Sequence, residues 1–147
     1  MATERTAAVT WKGSLLEGAG TIDSVGSAAF GPLDVTWAAR AEEDSSGLTS
    51  PEELIAAAHA ACFSMALSHG LAQAGTPADE LRTTATVSFV PGTGITKIVL
   101  GVRGDVPGVD EAAFRAAAED AKENCPVSKA LAAVPEILLD TRRAARD

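Results

Sequence analysis

The sequence is poor in cysteine, the residue that cross-links small proteins, and in aromatic residues. It contains two cysteines and no tyrosine among 147 residues, and a chain of this length buries enough apolar surface to fold without disulfides. Two cysteines in such a chain are therefore either buried apolar side chains or chemically active thiols. We expect a single domain that covers residues 1–147.

Basic residues and long apolar runs are also scarce. The 12 Lys and Arg against 20 Asp and Glu give a formal net charge of -8, which argues against a nucleic-acid partner because phosphate contacts need a clustered basic surface. No uninterrupted apolar run reaches the roughly 18 to 20 residues that a bilayer requires, and the N-terminus lacks the apolar core of a signal peptide. We expect a cytoplasmic protein without a membrane partner.

The hydrophobic pattern predicts an α+β fold, because strands and helices do not alternate regularly as they do in a doubly wound sheet. The predicted elements are, in chain order, strands at 6–11, 19–25 and 33–41, a long helix from 51 to about 74, a hairpin of strands 81–90 and 94–106, helices at 109–123 and 126–133, and a strand at 136–141.

The long helix carries clear start and stop signals. Ser50 is a natural N-cap, Pro51 suits the first helical position, and Glu53 completes a capping box with Ser50. The helix is predicted to end near Gly75. Its middle is apolar on nearly every face, so we expect a second subunit to cover it in a homodimer; the alternative is a monomer that wraps the helix alone.

The two cysteines lie in different local settings. Cys62 lies among apolar residues in the middle of the long helix, where a lone cysteine is usually a core residue. Cys125 precedes Pro126 at the predicted start of a helix, where free amides and the helix dipole lower the pKa of a thiol. Local physics therefore makes Cys125 the more acidic thiol, and Cys62 needs a cation to react.

Arg40 is the candidate cation, on the predicted strand before the long helix. A guanidinium about 4 Å from Cys62, at an effective dielectric near 20, would supply about 4 kcal/mol, enough to ionise the thiol at neutral pH. Glu52 would hold the guanidinium in a bidentate pair. The alternatives are an exposed strand arginine and a carboxylate that complements the helix dipole.

Two blocks of sequence carry a family resemblance. They are Ser-Pro-Glu-Glu-Leu-Ile-Ala-Ala-Ala-His-Ala-Ala-Cys-Phe-Ser-Met-Ala-Leu at 50–67 and Asn-Cys-Pro-Val-Ser at 124–128. Both closely resemble the OsmC/Ohr family of organic hydroperoxide reductases, and the chain is more similar to the OsmC branch (osmotically inducible protein C) than to Ohr. Weaker similarity extends over nearly the whole chain.

The resemblance implies an intertwined homodimer of α+β subunits, with antiparallel sheets around long buried central helices and two active sites at the interface. It implies a peroxidatic Cys62, a resolving Cys125, an active-site Glu52 and an activating Arg40. The implied substrate is an organic hydroperoxide, and the implied reductant is an external dithiol, with a lipoyl group expected; no metal or cofactor is required. The reserve cations are Arg5, Arg82 and Arg103.

The spacing of Glu52 and Cys62 carries a geometric consequence. Ten residues of one helix, at about 1.5 Å per residue, separate the two positions by about 15 Å. We therefore expect Glu52 to act beside Cys62 of the partner subunit, unless the helix begins after Glu52.

Two other functions stay open at this point. One is a metal site from His59, Cys62 and Cys125, for which only His69 could supply the fourth ligand of structural zinc. The other is a non-catalytic protein that binds a small hydrophobic ligand with both thiols idle.

Overall fold

The computed structural model describes residues 1–143, and the chain divides into two compact units, Met1–Leu54 and the residues from Ile55 onward. Each unit is described by itself below. The expectation of one domain over residues 1–147 stays a prediction.

The first unit contains a three-stranded antiparallel sheet in the order β1-β2-β3. Its strands are β1 (Ala7–Lys12), β2 (Ala19–Val25) and β3 (Leu33–Val35). The predicted opening hairpin is confirmed, since β1 pairs with β2 along its whole length.

The predicted strand over 33–41 is wrong in its second half. After β3 the chain forms a short helix, α1 (Trp37–Ala41), and Thr36 is its N-cap, accepting a hydrogen bond from the Ala39 amide at 3.1 Å. Five residues are too few for a helical period to show in the sequence, so alternating apolar residues indicated a strand. Arg40 therefore lies in the last turn of a helix.

The long helix α2 (Pro51–Gln73) begins as predicted. The hydroxyl of Ser50 accepts a hydrogen bond from the Glu53 amide at 3.2 Å, which satisfies one of the free donors at the helix start. The Glu53 carboxylate accepts from the Thr49 hydroxyl at 2.9 Å. Just beyond the helix, Gly75 has a φ of +83°, a conformation that glycine adopts without strain.

The second unit contains the other three-stranded sheet, in the order β4-β5-β6. The predicted hairpin is confirmed as β4 (Glu80–Val90) and β5 (Gly94–Asp105), which pair antiparallel. The last strand, β6 (Glu136–Arg143), pairs with β5 in parallel. This pairing differs from the expected antiparallel sheets, because the helices between β5 and β6 form the crossover that parallel strands need.

Those crossover helices are α3 (Glu111–Asn124) and α4 (Pro126–Ala130). Asp110 is the N-cap of α3 and accepts a hydrogen bond from the Ala113 amide at 2.7 Å. The residue between the two helices, Cys125, ends α3 and begins α4. The α+β class is confirmed.

The core of the second unit lies between α2, α3 and the sheet. Its largest fully buried side chains include Phe63 and Leu67 on α2 and Phe114 on α3, all at 0% exposure. Burying side chains of this size contributes about 1.5 to 3 kcal/mol each. Cys125 belongs to the same cluster, so the thiol is held within the best-packed part of the unit.

By length and composition alone, α2 is long and apolar enough to cross a membrane, which corrects the expectation that the sequence holds no such segment. The core helix of a soluble protein passes the same test. Only 22% of the apolar stretch is buried within the chain. The expected absence of a membrane partner stays a prediction.

Candidate active site

The structure brings the two cysteines together. Cys62 projects from the middle of α2, and Cys125 lies at the junction of α3 and α4. Both are free thiols, Cys62 partly buried and Cys125 fully buried, and hydrogen bonding between the two side chains shifts the pKa of each. Such a pair can be joined by a disulfide once one sulfur is oxidised.

The surroundings of Cys125 favour its thiolate. Burial by itself raises its pKa, but hydrogen bonds from the Cys62 thiol, from the amides of Ser128 and Val127 and from the Ser128 hydroxyl outweigh it, so the pKa of Cys125 is lowered. These amides are the unpaired donors of the first turn of α4. The sequence-based expectation of an acidic N-cap cysteine is in agreement with this geometry.

The surroundings of Cys62 favour its neutral thiol. Burial raises the pKa of Cys62, and the hydrogen bond to Cys125 raises it further, while a hydrogen bond from the Val127 amide lowers it less. No cation contributes to this pKa among the residues that the structure describes. Within one chain, Cys125 therefore holds negative charge more readily than Cys62 does.

Arg40 and Glu52 form the predicted pair, within the first unit. Arg40 Nε donates to Glu52 Oε1 and Oε2 at 3.0 and 3.2 Å, and Nη2 donates to Oε1 at 2.8 Å. Glu52 is 6% exposed, and the guanidinium lies 6.0 Å from the ring centre of Trp37. A bidentate pair of this kind holds the guanidinium in one orientation. Its role in the reaction stays a prediction.

The three reserve arginines, Arg5, Arg82 and Arg103, are exposed to solvent. Arg82 on β4 donates to Glu80 at 2.6 Å, and its side chain is 76% exposed. Arg103 is its partner across the β4–β5 pair, and both Arg103 and Arg5 are exposed. None of the three contributes to the pKa of Cys62.

His59 bonds to a residue that the sequence analysis did not single out. Its Nε2 lies 2.7 Å from the Ser128 hydroxyl, and both side chains are buried. The described residues contain no group of three His, Cys, Asp or Glu side chains that could hold a metal ion, so the alternative zinc site has no geometric support. One available signal was spacing, since His59 precedes Cys62 by three residues and Ser128 follows Cys125 by three.

A family model described as OsmC-like protein matches residues 43–140. The chain belongs to this family. The match spans α2, both cysteines and the second sheet, so the OsmC-like family accounts for the part of the chain that holds the paired thiols.

Relatives and solved structures agree with this assignment. The chain is 44% identical over 133 residues to the peroxiredoxin OsmC of Escherichia coli, covering 88% of this chain and 90% of the relative. An organic hydroperoxide resistance protein of Xanthomonas axonopodis is 36% identical over 56% of the chain and 58% of its own length. The OsmC-like protein of Mycoplasma pneumoniae matches with a TM-score of 0.72 over 99% of this chain and 100% of its own, at 15% identity, which shows the shared fold.

Proposed function

We propose that this OsmC-like protein is a thiol-dependent peroxidase that reduces organic hydroperoxides to alcohols. The observation that carries the proposal is that two free thiols on different elements of the fold lie close enough for each to shift the pKa of the other. The names of the relatives, peroxiredoxin OsmC and organic hydroperoxide resistance protein, support a peroxidase-type redox role. The expected compartment is the cytoplasm, where thiols stay reduced between turnovers.

The proposed cycle begins at Cys62. Its thiolate attacks the distal oxygen of ROOH, the O–O bond breaks, and the alkoxide leaves and takes a proton to become the alcohol. Cys62 is then a sulfenic acid. The Cys125 thiolate attacks that sulfur, the S–OH bond breaks and hydroxide leaves, so a Cys62–Cys125 disulfide forms. An external dithiol, for which a lipoyl group is the expected carrier, returns both sulfurs to the reduced state.

The difference in exposure between the two thiols supports this division of roles. Cys62 is partly buried, whereas Cys125 is fully buried at 0% exposure. A hydroperoxide has to reach the sulfur that it oxidises, whereas a resolving thiol needs access only to that sulfur. Exposure therefore favours Cys62 as the first nucleophile, although its pKa is the less favourable of the two.

Activation of Cys62 is assigned to the Arg40–Glu52 pair of a second subunit. The helix α2 is continuous from Pro51 to Gln73, so it does not begin after Glu52, and about 15 Å of helix rise lies between Glu52 and Cys62. The proposal therefore places the guanidinium beside Cys62 of the partner subunit, where it would favour the thiolate.

A homodimer would also cover the open face of α2. Met65 on this helix is 73% exposed, and apolar surface of this kind on a long helix marks a contact with another subunit. The exposed alanines on the same helix are Ala57, Ala58, Ala61 and Ala72. Phe63, in contrast, is fully buried and belongs to the core.

A titration with cumene hydroperoxide tests the proposal. One equivalent of peroxide per chain should remove two thiols per chain and yield one equivalent of cumyl alcohol, and a panel of dithiols should include one that restores the thiols. Hydrogen peroxide at the same concentration should react more slowly. Peroxide that stays unreacted while both thiols remain free would support the non-catalytic alternative.

A further inference from the structure

Four side chains form an uninterrupted row of hydrogen bonds inside the second unit. His59 Nε2 lies 2.7 Å from Ser128 Oγ, and hydrogen bonding from the Ser128 hydroxyl and the Cys62 thiol lowers the pKa of Cys125. His59 and Cys125 are fully buried, and Ser128 is 7% exposed. Apolar side chains would fill the same space without a polar group to satisfy, so this row has a use beyond packing.

The direction of the hydrogen bonds follows from the groups themselves. Ser128 has one hydroxyl proton, and a Cys125 thiolate can only accept. When Ser128 donates to the thiolate, its oxygen must accept from His59, so the ring proton lies on Nε2. The other ring nitrogen, Nδ1, is buried and has no hydrogen-bond partner among the residues that the structure describes. When the ring proton is on Nε2, the buried Nδ1 carries a lone pair and not an N–H group without an acceptor.

The charge of His59 fits this direction. Burial lowers the pKa of the His59 side chain, which keeps the ring neutral at neutral pH, with a single ring proton. A neutral ring with its proton on Nε2 is a fixed donor to Ser128, and Ser128 is then a fixed donor to Cys125.

We propose that His59 and Ser128 are positioning residues for the resolving step, in which the His59 ring orients the Ser128 hydroxyl and this hydroxyl holds Cys125 as a thiolate facing Cys62. The inference rests on the peroxidase cycle proposed above and deepens it. It assigns to His59 and Ser128 a part in the second chemical step, separate from the attack on the hydroperoxide.

The chemistry of that step needs a charged Cys125. Its sulfur donates an electron pair to the sulfenic sulfur of Cys62, the S–S bond forms, the S–O bond breaks, and hydroxide leaves and takes a proton from the buffer to become water. Cys125 is oxidised and the Cys62 sulfur is reduced by the same electron pair. The negative charge leaves Cys125 with the hydroxide, so Ser128 loses its acceptor once the disulfide has formed.

The other titratable side chains near Cys125 are Cys62 and Lys122, and Lys122 has other partners. Among the described residues, Cys62 is the titratable side chain that contributes to the pKa of Cys125. Lys122, three residues before Cys125 on α3, donates to the Ile137 carbonyl at 3.3 Å and lies 3.6 Å from the Glu119 carboxylate. The row through Ser128 is therefore the route by which His59 acts on the thiolate.

Single-turnover kinetics with cumene hydroperoxide test the proposal. Rapid quenching with a sulfenic-acid reagent separates formation of the sulfenic acid from its conversion to the disulfide, and each is followed from pH 5 to 9. In Ser128→Ala, the disulfide phase should slow relative to the sulfenic acid phase by about tenfold at pH 7 for each unit by which the pKa of Cys125 rises. Its pH midpoint should move upward.

Two substitutions at His59 separate positioning from packing. His59→Leu removes the donor and should give the same upward shift of the pH midpoint as Ser128→Ala, whereas His59→Gln keeps an N–H at a similar reach and should restore most of it. The matched controls are Ser64→Ala and His69→Leu on the same helix, where Ser64 bonds to Thr83 and His69 is exposed; both should leave the midpoint unchanged. If His59→Leu does not fold, Ser128→Ala alone decides.

The inference is overturned if the disulfide phase keeps its pH midpoint in Ser128→Ala, or slows equally at every pH. Failure of the peroxidase proposal is recognised separately, because the unaltered protein would then form no sulfenic acid. In that event the thiolate absorbance of Cys125 in Cys62→Ser still tests the hydrogen-bond row, and an unchanged midpoint on adding Ser128→Ala would contradict it.

Discussion

The two cysteines are neighbours, yet the structure around each one favours a different protonation state. Cys125 lies at the start of α4, where hydrogen bonding to the first-turn amides and the Ser128 hydroxyl lowers its pKa, whereas Cys62 lies mid-helix, where the backbone donors of its own helix are already used. The lesson is that hydrogen bonding within the second unit favours the thiolate of Cys125, the proposed resolving thiol. The groups that act on Cys62 within the same unit favour its neutral thiol instead.

This difference suggests a division of labour between the two steps of the cycle. The resolving thiol is prepared within one chain by helix geometry, while the peroxidatic thiol depends on a guanidinium that the proposal assigns to a second subunit. Until that guanidinium is in place, the thiol pair carries its negative charge mainly on Cys125. Dimer formation would then switch the reactive sulfur.

The largest expected effect is loss of the nucleophile. Cys62→Ser should lower the steady-state rate of cumene hydroperoxide reduction by about 10³-fold or more, because a serine hydroxyl stays protonated and cannot form a sulfenic acid. A coupled assay with an excess of dithiol measures it. Retention of a tenth of the rate would mean that the more acidic Cys125 attacks the peroxide directly.

The next effect concerns the proposed activating pair. Arg40→Met should move the pH midpoint of sulfenic acid formation upward and lower its rate at pH 7 by about 30-fold or more, since the other surroundings of Cys62 raise its pKa above the ordinary value of about 8.5. The higher nucleophilicity of a less acidic thiol offsets part of the loss. Stopped-flow rates from pH 5 to 9 measure both quantities.

The control for that variant is Arg115→Met, since Arg115 is 59% exposed and pairs with Glu119 one turn away; it should leave both quantities unchanged. Arg40→Met also leaves the Glu52 carboxylate buried without its partner, which should cost about 2 kcal/mol in urea unfolding. An unshifted pH midpoint would remove Arg40 from the account and reopen the choice of cation.

A smaller effect is expected on stability at low pH. The pKa of His59 is lowered in the folded chain from its ordinary value of 6.5, so the unfolded chain binds a proton first as the pH falls. Stability should therefore be constant above pH 6.5 with respect to this group and decrease below it. His59→Gln should flatten that decrease in urea midpoints measured from pH 7 to 5, whereas His69→Gln should leave the slope as it is.

The smallest effect concerns the N-cap of α3, which should affect the stability of the fold but not the pKa of Cys125 at the other end of the helix. Asp110→Ala removes the N-cap hydrogen bond to Ala113 and should cost about 1 kcal/mol of stability. The far end of α3, at Cys125, keeps its own hydrogen bonds, so the pH midpoint of disulfide formation should not move. A shift there would mean that the thiolate depends on the whole helix and not on its local donors.

Helix ends were predictable because their signals are local. Ser50 and Asp110 cap their helices as their sequence contexts indicate, and Cys125 precedes a proline that begins α4. The acidity of Cys125 followed from the same kind of signal, since backbone amides at a helix start depend on a few consecutive residues.

Other features depend on contacts between distant residues and could not be read from local patterns. The parallel pairing of β6 with β5 is set by the crossover through α3 and α4. The His59–Ser128 hydrogen bond joins residues 69 positions apart. The helix α1 was predicted as a strand because apolar and polar residues alternate there and five residues are too few to show a helical period. The role of Cys62 came from resemblance, because its own surroundings indicate a core thiol.

The most direct test of the account is to locate the sulfenic acid in the two single-cysteine variants. After one equivalent of cumene hydroperoxide, Cys125→Ser should carry a trappable sulfenic acid on Cys62 and stop after one turnover, while Cys62→Ser should leave Cys125 unmodified in mass spectra of the tryptic peptides. A sulfenic acid on Cys125, formed as fast as in the unaltered protein, would contradict the assignment of Cys62 as the peroxidatic thiol.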